Sequence, residues 1–134
     1  VNEDLWRAFE QATYGTREER FALSDAPSGR PSWANGTWGI VTAWNPSGER
    51  TPERLNEWRQ GELRRGVEAL GRSPLDGVNG EGEWEEASLI VVGASLREVR
   101  TLGARFDQAA VVWGVGRRVA VVACGDVGVR RAWV

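Results

Sequence analysis

Three apolar runs, TWGIVTAW (37–44), ASLIVVG (87–93) and AAVVWGV (109–115), are separated by segments whose apolar residues recur every three to four positions, and this alternation constrains the fold most. In the first run Trp38, Ile40, Thr42 and Trp44 fall on one face, with Gly39, Val41 and Ala43 on the other, as in a strand. Ser95 and Glu98 form an S-x-x-E capping box opening a helix whose stripe is Leu96, Val99, Leu102 and Phe106. Thr51-Pro52-Glu53 reads as an N-cap, a proline at the first helical position and an acid in the first turn. The helix that follows should run from about 52 to 70 and end at Gly71. Residues 74–79 make a weak strand, GEGEWE (80–85) a turn, and 118–124 a Val-rich strand joined in a hairpin to 109–115.

From 37 to 115 the order is strand, helix, strand, strand, helix, strand. That pattern predicts an α+β fold with a ferredoxin-like split βαβ (βαββαβ) core and a mainly antiparallel sheet. Strand 118–124 would be an extra C-terminal edge strand, and 3–13, with Leu5, Trp6, Phe9 and Ala12 at helical spacing, an N-terminal helix. A three-layer α/β sandwich is the alternative. With 134 residues, a single domain over 1–134 is expected, its core at about 37–124. Residues 20–24 suit a short strand, 25–36 a Pro-, Gly- and Ser-rich loop, and the tail after 124 gives no clear signal.

Composition removes several chemistries. All 17 basic residues are arginine, and histidine, lysine and methionine are absent. Ser-His-Asp and Cys-His catalysis therefore have no base, and Schiff-base chemistry has no amine. Cys124 is alone, so it forms no intrachain disulfide and a zinc site is not expected; it reads as a small buried hydrophobe. The formal charge of −2 provides no global field for nucleic acid. No apolar run approaches the ~18 residues of a membrane span. The acidic, amphipathic VNEDLWRAFE does not read as a signal peptide, so the cytoplasm is the expected location.

The topology brings four segments to one pole of the sheet: 42–47, the first turns of helix 52–70, 80–88 and 106–109. On that helix Leu55, Leu63, Val67 and Leu70 define the apolar arc, and Asn56 and Arg59 fall inside it. Inward polar groups need partners, and Thr42, Asn45, Glu86, Ser88, Asp107 and Gln108 are at hand, with Trp44 and Trp84 as walls. In the dipeptide Asn45-Pro46, the proline favours an extended Asn45 whose amide faces the helix N-terminus. A purely structural network is the first account of such a cluster, ahead of a ligand site.

VTAWNP (41–46), Asn56, WEEAS (84–88) and FDQAAV (106–111) resemble the pattern of a bacterial family, domain of unknown function 3293, across roughly 37–115. The resemblance implies no particular activity. Its motif positions are Thr42, Asn45, Asn56, Glu86, Ser88 and Gln108; the family often carries proline where Ala87 stands. Arg59 and Trp84 come from the placement argument instead.

The first expectation is a module binding a small polar or anionic ligand, without a cofactor or metal, through Thr42, Asn45, Asn56, Arg59, Trp84, Glu86, Ser88 and Gln108. The second is an enzyme using Glu86 or Asp107 as general base or Mg²⁺ ligand, with Arg59 stabilising charge. The third is a nucleic-acid or protein interaction domain. Strand 87–93 lacks the aromatics of an RNA-binding sheet, which counts against nucleic acid. An exposed edge at 118–124 would allow a homodimer.

Overall fold

The computed structural model describes residues 2–125 and 128–134. The elements follow in chain order: α1 (Glu3–Gln11), β1 (Thr13–Gly15), β2 (Arg20–Ala22), β3 (Thr37–Val41), α2 (Glu53–Ala69), β4 (Leu75–Asn79), β5 (Glu86–Val92), α3 (Leu96–Arg105), β6 (Ala110–Val115), β7 (Arg118–Ala123) and β8 (Val129–Trp133). The fold is mixed α+β. Six strands form one antiparallel sheet in the order β4-β5-β3-β6-β7-β8, and β1 and β2 form a separate antiparallel ribbon.

Local chemistry explains most element ends. The Ser95 side chain accepts from the Glu98 amide at 3.1 Å while Glu98 accepts from the Ser95 amide at 2.8 Å, closing the expected capping box of α3. Helix α2 stops as Gly71 takes φ 78°, with Gly71 N donating to Glu68 O and Arg72 N to Val67 O, a Schellman ending that favours glycine. Its start differs from expectation. Pro52 occupies the cap position without a side-chain cap, and the Thr51 hydroxyl donates to Glu49 O instead.

The two sheet faces carry separate cores. On one, Val41, Leu89, Val91 and Val111 meet Leu63 and Val67 of α2 and Val99 and Leu102 of α3. On the other, Trp38, Ile40, Ile90, Val112 and Val121 meet Trp6 of α1, Tyr14 of β1 and Ala34 of the 25–36 connection. That connection is anchored at its end by packing: the Trp33 ring lies edge-on to Trp38 at 5.1 Å.

Several expectations need correction. Leu55 and Leu70 are exposed, so the inward arc of α2 is centred on Asn56, Leu63 and Val67. Strand β7 is not an edge, because β8 pairs with it from Arg118↔Trp133 to Val122↔Val129. A homodimer formed through a free 118–124 edge therefore has no such edge to use. Asn45 is left-handed (φ 46°, ψ 67°) rather than extended. Asparagine tolerates that region, and side-chain bonds hold it there.

Candidate functional site

Strand β3 ends at Val41, and the backbone beyond it must find partners outside the ladder. The Thr42 hydroxyl donates to Ala87 O at 2.7 Å and accepts from Trp44 N at 3.0 Å. Gln60 of α2 accepts from Ala43 N at 2.9 Å. Asn45 N donates to Asn56 Oδ1 at 2.8 Å, and Asn56 Nδ2 returns a bond to Asn45 Oδ1 at 2.9 Å and another to Thr51 O at 3.1 Å. Asn45 Oδ1 also accepts from Thr51 N at 3.0 Å. This knot is closed: Asn56 is 2% exposed and its amide is satisfied at both ends. It ties the strand exit to the helix entrance.

The fourth segment joins the same pole. Gln108 Nε2 donates to Trp44 O and Phe106 O, both at 3.2 Å. Ser47 N donates to Asp107 O at 2.7 Å. Arg59 donates to Phe106 O at 3.0 Å and pairs with Asp107 at 3.3 Å. The convergence read from topology therefore exists as hydrogen bonds.

The largest departure from sequence reasoning is a hollow on the α1 side of this pole, of about 290 Å³. Phe9, Trp44 and Trp84 supply apolar surface, while Thr42, Asn45, Asn79, Glu86 and Gln108 supply polar surface. Asn79 and Glu86 are direct partners across β4 and β5, so both side chains leave the same sheet face. Asn45 Nδ2 donates to Glu86 Oε1 at 3.2 Å. Asn79 Oδ1 is buried with no partner. Burial raises the pKa of Glu86 above its ordinary value, and the Asn45 hydrogen bond opposes that only in part. Among the described residues no arginine pairs with Glu86. Tyr14 lines the hollow with its hydroxyl donating to Phe9 O, and burial first, then Glu86 and Glu10, push its phenol pKa up.

A second hollow of about 230 Å³ shares Trp44, Asn45, Trp84 and Glu86 and adds Asn56 and Arg50. Trp84 is 69% exposed, so it forms a rim between the two, with the Arg50 guanidinium 4.7 Å from its ring centre.

Of the residues proposed from sequence, Thr42, Asn45, Trp84, Glu86 and Gln108 meet at the larger hollow and Asn56 at the smaller. Ser88 is buried without a hydroxyl partner and lines a different cleft, near Arg17 and Gln60. Arg59 and Asp107 line neither hollow; their charges face each other, and the Asp107 side chain is 63% exposed. Sequence reasoning missed Gln60 and Asn79, and it kept Tyr14 as a possible catalytic group without placing it at this pole. Gln60 was within reach, standing four residues after Asn56 on the same helix face. Asn79 precedes a glycine and looked like turn chemistry, and Tyr14 lies in a three-residue strand too short to announce a face. Among the described residues, no three His, Cys, Asp or Glu side chains are grouped to hold a metal ion.

No curated protein and no solved structure matches this chain. One family model does match, described as "Protein of unknown function (DUF3293)", over residues 41–111. That stretch carries Thr42, Asn45, Asn56, Asn79, Glu86 and Gln108, and by this match over more than half its length the chain belongs to the domain of unknown function 3293 family.

Proposed function

We propose that this protein is a binding module for a small polar ligand, built on a ferredoxin-like split βαβ core, with the 290 Å³ hollow beside α1 as its site. The fold reading is supported by the sheet order β6-β3-β5-β4 with α2 and α3 packed on one face. One observation carries the functional reading. Asn79 and Glu86, neighbours across two strands, both line the hollow; Asn79 Oδ1 is buried with no partner, and the Glu86 carboxyl accepts a single hydrogen bond, from Asn45. An unsatisfied buried polar group costs about 1–3 kcal/mol. The Asn45–Asn56 knot is what a purely structural network looks like, with its bonds closed. The Asn79–Glu86 pair, beside the cavity, has bonds left to make, which is the arrangement a ligand completes.

The polar half of the expectation fits this geometry better than the anionic half. Glu86 repels anions, and Arg59, the cation expected to attract them, is engaged with Asp107. A second reading is an enzyme with Glu86 as general acid or base, favoured by burial holding its proton more tightly. RNA binding on the open face of such a sheet is disfavoured, because Trp6, Tyr14 and Ala34 already cover it.

The test is a screen of small polar metabolites by amide chemical shifts. Ala8 lines the hollow from α1 and is exposed, so Ala8→Trp should plug it without disturbing a core. At least one compound should move the Trp44, Glu86 and Gln108 resonances of the wild type and leave those of Ala8→Trp unmoved. A screen in which no compound touches these resonances removes the site reading.

A further inference from the structure

We propose that the hollow selects an organic ammonium, a positively charged nitrogen bearing N–H donors on a short apolar stem; this rests on reading the hollow as a ligand site. The groups left uncommitted there, and the charge of the hollow, carry this assignment. The donors of Thr42, Tyr14 and Gln108 are engaged with the carbonyls of Ala87, Phe9, and Trp44 with Phe106. Asn45 directs its amide nitrogen to Glu86. Acceptors remain. Asn79 Oδ1 is buried without a partner, and the second Glu86 oxygen accepts no hydrogen bond from the described residues.

Charge narrows the ligand further. The chain holds 17 basic residues, yet none lines this hollow, while a half-buried carboxylate does. An anion would meet the Glu86 charge with only neutral donors to offset it. A neutral alcohol could donate one hydrogen bond but would leave the carboxylate without a countercharge. An ammonium supplies several donors and the charge together, in a site where burial strengthens both. A bare hard cation fits poorly, since such ions take six or more oxygens and, among the described residues, one carboxylate lines the hollow. The aromatic surfaces of Phe9, Trp44 and Trp84 suit the rest of the molecule: they bury an alkyl stem, and aromatic faces attract cations.

The experiment compares three probes of similar shape, n-butylamine (ammonium at neutral pH), 1-butanol and butyrate, on the wild type, Glu86→Gln and Asn79→Ala. Binding is read from the Trp44 and Gln108 amide resonances and by calorimetry. The wild type should prefer the amine by roughly tenfold or more, the size of one charged hydrogen bond. Glu86→Gln, isosteric and still able to accept from Asn45, should fold and lose that preference. Asn79→Ala keeps the charge and should weaken the amine by a smaller factor. Equal or better binding of butanol or butyrate in the hollow overturns the ammonium assignment while leaving the ligand site standing, and so does an unchanged ranking in Glu86→Gln. No response to any of the three probes overturns it as well; only a silent metabolite screen reaches the site reading itself.

Discussion

Asn45 and Glu86 show how one side chain can belong to two systems. Asn45 closes the knot with Asn56 through its backbone N–H and its side-chain Oδ1, and reaches toward the hollow with its side-chain Nδ2. Glu86 receives that single bond and no countercharge from the described residues, so the folded protein holds its proton more tightly than the unfolded chain does. Ionising Glu86 therefore costs stability. The penalty is complete above the raised folded pKa and absent below the ordinary glutamate value. Glu86→Gln should accordingly raise the urea midpoint at neutral pH, and the gain should shrink as pH falls through the range just above ordinary glutamate. A midpoint unchanged at neutral pH would mean that Glu86 is well solvated or paired. A stabilising substitution at a position poised for a ligand is the usual trade between stability and function.

At the scale of elements, the contact between α3 and β3 is set by a missing side chain. A Cβ on Gly39 would stand 2.4 Å from Val99 Cγ2 and 3.0 Å from Cγ1. Valine is branched and stiff at χ1, so it cannot turn aside. Gly39→Ala should cost about 1–3 kcal/mol as overpacking between helix and strand. Combining it with Val99→Ala should cost less than the sum of the two, because the second change removes the clash of the first. Denaturant titrations of the four proteins in that cycle give the coupling directly, and additive costs would show that α3 does not press on Gly39. The stop of α2 at Gly71 and the capping box of α3 are local devices of the same kind, and they fix where each helix can lie against the sheet.

For the whole molecule, the decisive feature is that both sheet faces are covered. The family match spans 41–111, while the cover of the second face comes from α1, β1 and the 25–36 connection, all outside that stretch. Strands β7 and most of β6 also lie beyond it or at its end, and Val112 and Val121 belong to that second core. Deleting residues 2–24 would expose Trp38, Ile40, Ile90, Val112 and Val121, each 2% exposed or less. The shortened chain should lose cooperative thermal unfolding and bind a hydrophobic dye, as collapsed states with unpacked cores do. A truncated protein that melts sharply and excludes the dye would show that the N-terminal layer is dispensable. The same layer provides the α1 wall of the hollow, so site and second core share one support.

Element identity and order were legible in the chain because they depend on neighbours a few residues apart. Alternation marks β3 and β5, an S-x-x-E pair opens α3, and a glycine ends α2. The meeting of 42–47, the start of α2, 80–88 and 106–109 also followed, since chain reversals leave few ways to arrange such an order. Three things waited for the tertiary structure. Strand β8 carries Arg130 and Arg131 and shows no apolar face, so only its pairing with β7 defines it. The left-handed turn at Asn45 overrides the extended bias imposed by Pro46 because its anchors stand 11 and 41 residues away, at Asn56 and Glu86. And a sequence names polar residues without saying which of them find partners: Asn56 does and Asn79 does not, a difference fixed by distances between strands and helices that only the packed chain establishes.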